Sequence, residues 1–348
     1  MKSKRIAPPE FWRFVCILYV CFYHFEADVY DGVTVLSKGA YLGVDFFLML
    51  SGYAVAYSNN RKPITSPLGY AFDKVKKIYP DFLFVILLMF LLWLIYDSTD
   101  MQSVFTHIYE RRLQFFFVNA FVWTPFETGP LWFLSYWLVG MVVLIYVLKK
   151  KWLFVAGGLA ISFMAWHYFY RGLLLDDPII PQFLWSIRLI RCVFEVIIGA
   201  MAFEMTKRLE HVQLTAFGKV VWSVVEILIV SYVLVAMARS GRNLVDYYLL
   251  AGIFSIIILA FWKQTWLSNL LDNDFSIFLG KLSLPIYLYH PFVDKLAVIY
   301  LHNNPAKILA YVAYGVGVLV SAYMFHLFVE RYFAMLLRTV WHKMYVKT

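Results

Sequence analysis

Apolar runs about twenty residues long, each closed by a short polar or basic stretch, recur along the whole chain. A helix of that length spans a hydrocarbon core of about 30 Å. About ten such segments can be drawn, at roughly 10–27, 40–58, 78–96, 131–148, 152–170, 188–206, 219–238, 245–262, 275–293 and 307–329. The first and the ninth are the least hydrophobic. The stretch around 103–123 is apolar on one side but carries Glu110, Arg111 and Arg112. Three adjacent charges fit a lipid core poorly, so an interfacial or re-entrant helix is expected there.

Composition agrees with this pattern. The chain has 348 residues, of which 62% are hydrophobic and only 15% charged, with a mean hydropathy of +0.69. A soluble domain is about 45–50% apolar and about 25% charged. The expected fold is therefore all-α, a polytopic integral membrane helix bundle forming one domain over residues 1–348. No cleavable signal peptide, internal repeat or low-complexity tract is evident. Cys16, Cys21 and Cys192 fall inside apolar segments, without metal-ligand spacing or an evident disulfide role. No metal site is expected.

The net charge of +9 does not call for nucleic acid. With the N-terminus inside, 19 of the 31 Lys and Arg residues fall in inner segments and 8 in outer ones. This bias places both termini in the cytoplasm. The first outer loop, with Glu26, Asp28 and Asp31, is then acidic.

Polar residues inside the apolar segments are the candidates for chemistry, because ionisable groups there are costly and face cavities or partners. Arg13 and His24 lie eleven residues apart in the first segment. At about 100° per residue they return to within about 20° of one helix face, about 16 Å apart along the axis. The second segment holds Gly43-Val-Asp45, then Ser51-Gly52. That motif reads either as a small-residue packing site with Asp45 near the outer interface or as a polar gap. Lys74, Lys76 and Lys77 precede Tyr79-Pro80, and Pro80 suits the first turn of a helix. The lysines are topology anchors or an anion site.

Gly129-Pro130-Leu-Trp132-Phe133-Leu-Ser135 opens the fourth segment with aromatic interface residues. Arg188, Arg191 and Glu195 share a face of the sixth, as a structural i,i+4 pair or a site for a polar acceptor. Ser283, Tyr287 and His290 follow i, i+4, i+7 in the ninth, beside Pro285 and Pro291. The prolines should kink that helix and free backbone carbonyls, which suits a cavity wall. A structural hydrogen bond of His290 is the other reading. Glu330-Arg331 closes the tenth segment as a pair reaching the interface.

The order of these motifs is more specific than any one of them. Arg-x10-His, Gly-Val-Asp-Phe-Phe-x3-Ser-Gly, a basic cluster ending Ile-Tyr-Pro, Leu-Trp-Phe-Leu-Ser, Gly-Lys-Leu-Ser-x3-Tyr-Leu-x-His and Phe-Val-Glu-Arg follow one another from about residue 5 to 335. This series resembles the membrane-bound acyltransferase-3 family. The resemblance implies transfer of an acyl group, usually acetyl, from cytoplasmic acyl-coenzyme A to a hydroxyl of extracytoplasmic or lipid-linked carbohydrate. It implies an inner- or plasma-membrane protein with no bound cofactor and with glycan-assembly proteins as candidate partners. By position, His24 becomes the catalytic base and Arg13 its essential partner. Lys74, Lys76 and Lys77 meet the donor's phosphates. Asp45, Ser51, Trp132, Arg188, Ser283, Tyr287, His290 and Glu330 become cavity or acceptor candidates.

The chain departs from the family pattern in two places. Lys74-x-x-Lys77 stands where Arg/Lys-x-x-Arg is common, and Lys binds phosphate as a point charge rather than a planar fork. Tyr136 and Trp137 follow Ser135 where many members have Glu. The sequence shows no soluble esterase-like domain, so any second transfer step would fall to another protein. An exporter of a polysaccharide intermediate is the alternative from another class, although no inverted repeat supports it. A scaffold for glycan assembly is the third reading, and it gives no reason to keep Arg13, His24, Asp45 and His290 in apolar segments.

Overall fold

The computed structural model describes residues 6–32, 37–98, 100–112, 115, 132–171, 187–239, 245–302 and 305–335. Among these, all regular structure is helical. The helices are α1 (Ala7–Val29), α2 (Gly43–Arg61), α3 (Pro67–Tyr96), α4 (Met101–Arg111), α5 (Trp132–Lys149) and α6 (Leu153–Arg171). They continue with α7 (Ile187–Leu209), α8 (Ala216–Arg239), α9 (Val245–Trp262), α10 (Trp266–Leu270), α11 (Asp274–Leu301) and α12 (Lys307–Phe328). The last of these runs on into a π turn, Val329–Phe333.

Each of the ten apolar segments coincides with a helix, and α4 and α10 lie outside that set. Among the described residues, four stretches are long and apolar enough to cross a membrane: Ala40–Arg61, Pro67–Tyr96, Ala216–Arg239 and Lys307–Phe333. Phe133–Lys149, Leu153–Trp166 and Asp246–Trp262 are apolar but shorter. α1, α7 and α11 are long, and charged residues interrupt their apolar runs.

The distribution of exposure is that of a membrane protein. On α12, Ile308, Val312, Val316 and Val320 recur every fourth residue and are exposed, at 84%, 56%, 54% and 55%. On α8, Val224, Leu228 and Val235 are exposed while Glu226 is buried. Helices that turn apolar residues outward and a carboxylate inward are built for a lipid solvent.

Two expectations need correcting. α3 begins at Pro67, so Lys74, Lys76 and Lys77 lie on the helix and Pro80 is inside it. The aromatic and apolar residues among 67–77 continue the helical face, and the missing Pro80 N–H costs one bond of the ladder rather than the helix. α1 extends to Val29, so Glu26 is a buried helical residue and not part of an acidic loop. α11 runs on through Pro285 and Pro291.

The amphipathic α4 covers the start of the expected interfacial stretch. Asp100 caps it by accepting from Ser103 N at 2.7 Å, and the Ser103 hydroxyl lies 3.2 Å from Asp100 N. Met101, Phe105, Ile108 and Tyr109 are exposed, and His107 is buried. The remainder of that stretch, apart from 112 and 115, lies outside the described residues.

The chain forms two compact units. The first comprises Met1–Leu68 and Tyr136–Ser283, and the second Gly69–Ser135 and Leu284–Thr348. In the first, α2 and α7 form the most extensively packed pair. The reason is local. A Cβ on Gly52 would run into the Val196 carbonyl, and one on Gly199 into the Met49 carbonyl. Two glycines facing opposite ways let the backbones touch. In the second, Phe84 of α3 is ringed by Tyr289, Phe325, Phe328 and Phe333 at 5.3–6.3 Å.

Candidate functional site

Arg13 and His24 both lie on α1, which is continuous between them. Pro8 and Pro9 stand at its first turn, where the missing N–H groups have no helical partner in any case. Arg13 Nη1 pairs with Glu10 Oε2 at 2.7 Å, one turn earlier. Glu10 itself presses on Gly280 of α11, where an added Cβ would collide with the Glu10 side chain and come within 2.9 Å of its Cα. The Arg-x10-His and Gly-Lys-Leu-Ser motifs thus meet through Glu10. Sequence reasoning passed over Glu10, although its i,i+3 spacing from Arg13 was a usable signal.

The flank of the same stripe carries α2. A Cβ at Gly43 would lie 2.8 Å from the Cys16 carbonyl and 2.9 Å from Val20 Cγ2. His24 is half-buried, with the Tyr23 ring edge-on at 5.4 Å. Tyr23 in turn meets Tyr41 at 6.2 Å, and the Tyr41 hydroxyl donates to Asp246. Ser37 donates to the buried Glu26 near the end of α1. The backbone N–H groups of Lys38 and Gly39 donate to the Ala238 and Met237 carbonyls, at 3.3 and 2.9 Å. This last contact satisfies orphan carbonyls at the end of α8.

Asp45 is fully buried and ion-paired with Arg191 of α7. Arg191 Nε also donates to Glu195 Oε1 at 2.7 Å. The structural reading of the Arg191–Glu195 pair therefore holds, with Asp45 as a second carboxylate on the same guanidinium. Ser51 donates back to the Phe47 carbonyl at 2.7 Å, while its neighbour Gly52 makes the close α2–α7 approach. Arg188 lies in the first turn of α7. Ser283 is buried on α11, with its hydroxyl 3.4 Å from the Leu279 carbonyl.

In the second unit, Lys74 and Lys76 fold back over aromatic rings one turn earlier. Lys74 Nζ is 4.9 Å from the Tyr70 centroid and Lys76 Nζ 4.6 Å from that of Phe72. Lys77 is exposed. Trp132 is the first residue of α5, and the preceding Gly129-Pro130-Leu131 lies outside the described residues. The neighbouring Phe133 meets Tyr287 edge-to-face at 5.7 Å, which joins the Trp-Phe-Leu-Ser motif to α11.

His290 is buried, and its Nδ1 lies 2.7 Å from the Tyr287 carbonyl. Tyr287 is the residue whose helical donor would be position 291, and that position is proline. His290 Nδ1–H supplies the missing donor, which fixes the tautomer and leaves Nε2 as the ring's acceptor. Glu330 lies on the π turn, 64% exposed at its side chain, with Oε1 3.6 Å from His326 Nε2. A π turn at a motif residue is common at functional sites.

Two further features lay outside the sequence reading. Asp81, buried on α3, accepts from Tyr289 Oη at 2.8 Å and lies 3.2 Å from His326 Nδ1. Glu226, buried on α8, accepts from Ser268 Oγ at 2.6 Å. No group of three or more His, Cys, Asp or Glu residues suited to a metal ion occurs among the described residues.

A family model described as an acyltransferase domain matches residues 9–338. The chain belongs to the acyltransferase-3 family. It is a membrane acyltransferase, and the match decides between the enzyme and the exporter. No curated protein and no solved structure matches the chain.

Proposed function

We propose that this acyltransferase is an O-acyltransferase, in the first instance an O-acetyltransferase, with acyl-coenzyme A as donor and the hydroxyl of an extracytoplasmic or lipid-linked carbohydrate as acceptor. Ten helices cross the inner or plasma membrane, and both termini lie in the cytoplasm. The whole chain acts as one domain. The observation that carries this reading is the family match, together with Arg13 and His24 on one face of an unbroken α1.

His24 takes the proton from the acceptor hydroxyl as the oxygen attacks the thioester carbonyl. The carbonyl passes through a tetrahedral centre, the C–S bond breaks, and the coenzyme A thiolate leaves and collects a proton. An imidazole can accept a proton at one ring nitrogen and release it again, as both transfers require. Arg13, oriented by Glu10, serves the donor side. The anionic end of the donor meets Lys74, Lys76 and Lys77. Their use of Lys rather than Arg fits point-charge contact with phosphate. Asp45, Ser51, Trp132, Arg188, Ser283, Tyr287, His290 and Glu330 are the cavity and acceptor candidates. Of these, Asp45 has a clear structural partner in Arg191 and His290 in the Tyr287 carbonyl.

The test is release of labelled acyl groups from acetyl-coenzyme A by purified protein, with lipid-linked glycans as acceptors. His24→Ala should lower turnover about 100-fold or more, the usual worth of a general base, while the protein still inserts and purifies. Full activity in His24→Ala would falsify the assignment.

A further inference from the structure

Asp81 is an acid in an awkward place for a donor site. It follows Lys77 by one helical turn and Lys74 by two, so it stands about 6 and 10 Å along the axis from them, on the same side of α3. An uncovered carboxylate there would repel the phosphates those lysines are placed to attract. The structure covers it. The buried Tyr289 of α11 donates to Oδ1 at 2.8 Å, and His326 of α12 brings Nδ1 to 3.2 Å from the same oxygen. On its other side, His326 Nε2 lies 3.6 Å from Glu330 Oε1 of the π turn. Around this cluster the packing is aromatic, with Phe84, Tyr289 and Phe325 in mutual ring contact. Apolar packing is non-directional. The two contacts that converge on one Asp81 oxygen add directional ties from α11 and α12 to this carboxylate.

We propose that His326 is a positioning residue for the phosphate-bearing end of the donor: it keeps the Asp81 carboxylate covered, so that this charge does not oppose those of Lys74 and Lys77. This rests on the donor reading above. It concerns affinity for the nucleotide end rather than the chemistry at the thioester.

The experiment compares two donors, acetyl-coenzyme A and acetyl-pantetheine, which carries the same thioester without phosphates. In His326→Ala, KM for acetyl-coenzyme A should rise about tenfold, the worth of one charge-assisted hydrogen bond. Its kcat, and turnover of acetyl-pantetheine, should stay near wild type. Adding Asp81→Asn should bring KM back, because the uncovered charge is gone while Tyr289 keeps an acceptor. Asp81→Asn alone should bind acetyl-coenzyme A at least as tightly as wild type, and this variant serves if His326→Ala does not fold. An equal loss with both donors, no rescue in the double variant, or weaker donor binding in Asp81→Asn alone would overturn the proposal. A wild-type protein with no turnover of either donor would instead remove the donor reading, and this inference with it.

Discussion

Arg191 of α7 holds Asp45 of α2 across 146 residues of sequence, and the same guanidinium holds Glu195 one turn away. All three are buried, at 3%, 0% and 0% exposure. Removing the cation strands two buried carboxylates. Arg191→Met should therefore cost about 3–5 kcal/mol, read as a large drop in the thermal midpoint of the detergent-solubilised protein. Replacing the whole set, as Arg191→Met with Asp45→Leu and Glu195→Met, should recover much of that loss, because no charge is left buried. A triple variant less stable than the single one would show that the set is not held together by charge compensation.

The α2–α7 contact makes a second prediction through its glycines. Gly52→Ala and Gly199→Ala each push a methyl group into a backbone carbonyl of the partner helix. Neither carbonyl can move without its helix, so each variant should lower the thermal midpoint and the yield of folded protein. Gly158 of α6 is the control, since a Cβ there meets nothing within 4 Å. Gly158→Ala should be neutral or stabilising by about 0.5–1 kcal/mol from helix propensity. Equal behaviour of all three would mean that the close approach does not govern packing.

His290 and Pro291 are coupled by the carbonyl they share. His290→Ala leaves the buried Tyr287 oxygen without its donor, a loss of about 1–3 kcal/mol. Pro291→Ala restores a backbone N–H at the helical position. A double-mutant cycle on thermal stability should thus show His290→Ala costing clearly less in the Pro291→Ala background. Additive effects would detach the imidazole from the proline.

Hydropathy made the long helices among the described residues legible, because apolar runs are written locally in the sequence. The first eleven residues of α3 escaped because Lys74, Lys76 and Lys77 interrupt its apolar pattern, and the cation–π contacts of Lys74 with Tyr70 and Lys76 with Phe72 appear only once the helix is built. The stripe of Arg13 and His24 was legible from helical periodicity alone. Their surroundings were not. Gly280 reaches Glu10 from the far end of the chain, and His326 reaches Asp81 across 245 residues. Local spacing marks a costly polar residue in an apolar run, but its partner is set by tertiary packing.

His107 makes α4 sensitive to pH. Its ring stacks on Trp93 at 3.7 Å and 25°, and Arg111 Nη1 donates to Nδ1 at 2.8 Å. An arginine can only donate, so Nδ1 accepts and the imidazole is neutral. Burial, and then the Arg111 charge, push its pKa from the usual 6.5 down to about 4, with Asp97 opposing. The folded state therefore binds fewer protons than the unfolded state between these two values, and stability rises with pH there. The contribution is complete above about pH 6.5 and is lost as pH falls towards 4. Hydrogen exchange of residues 101–111, corrected for intrinsic rates, should show α4 protected at pH 7 and opening at pH 4.5. His107→Phe keeps the stacking partner of Trp93 without a titrating group, so its protection should not change between those pH values. The same pH-dependent opening in His107→Phe would assign the effect to another group.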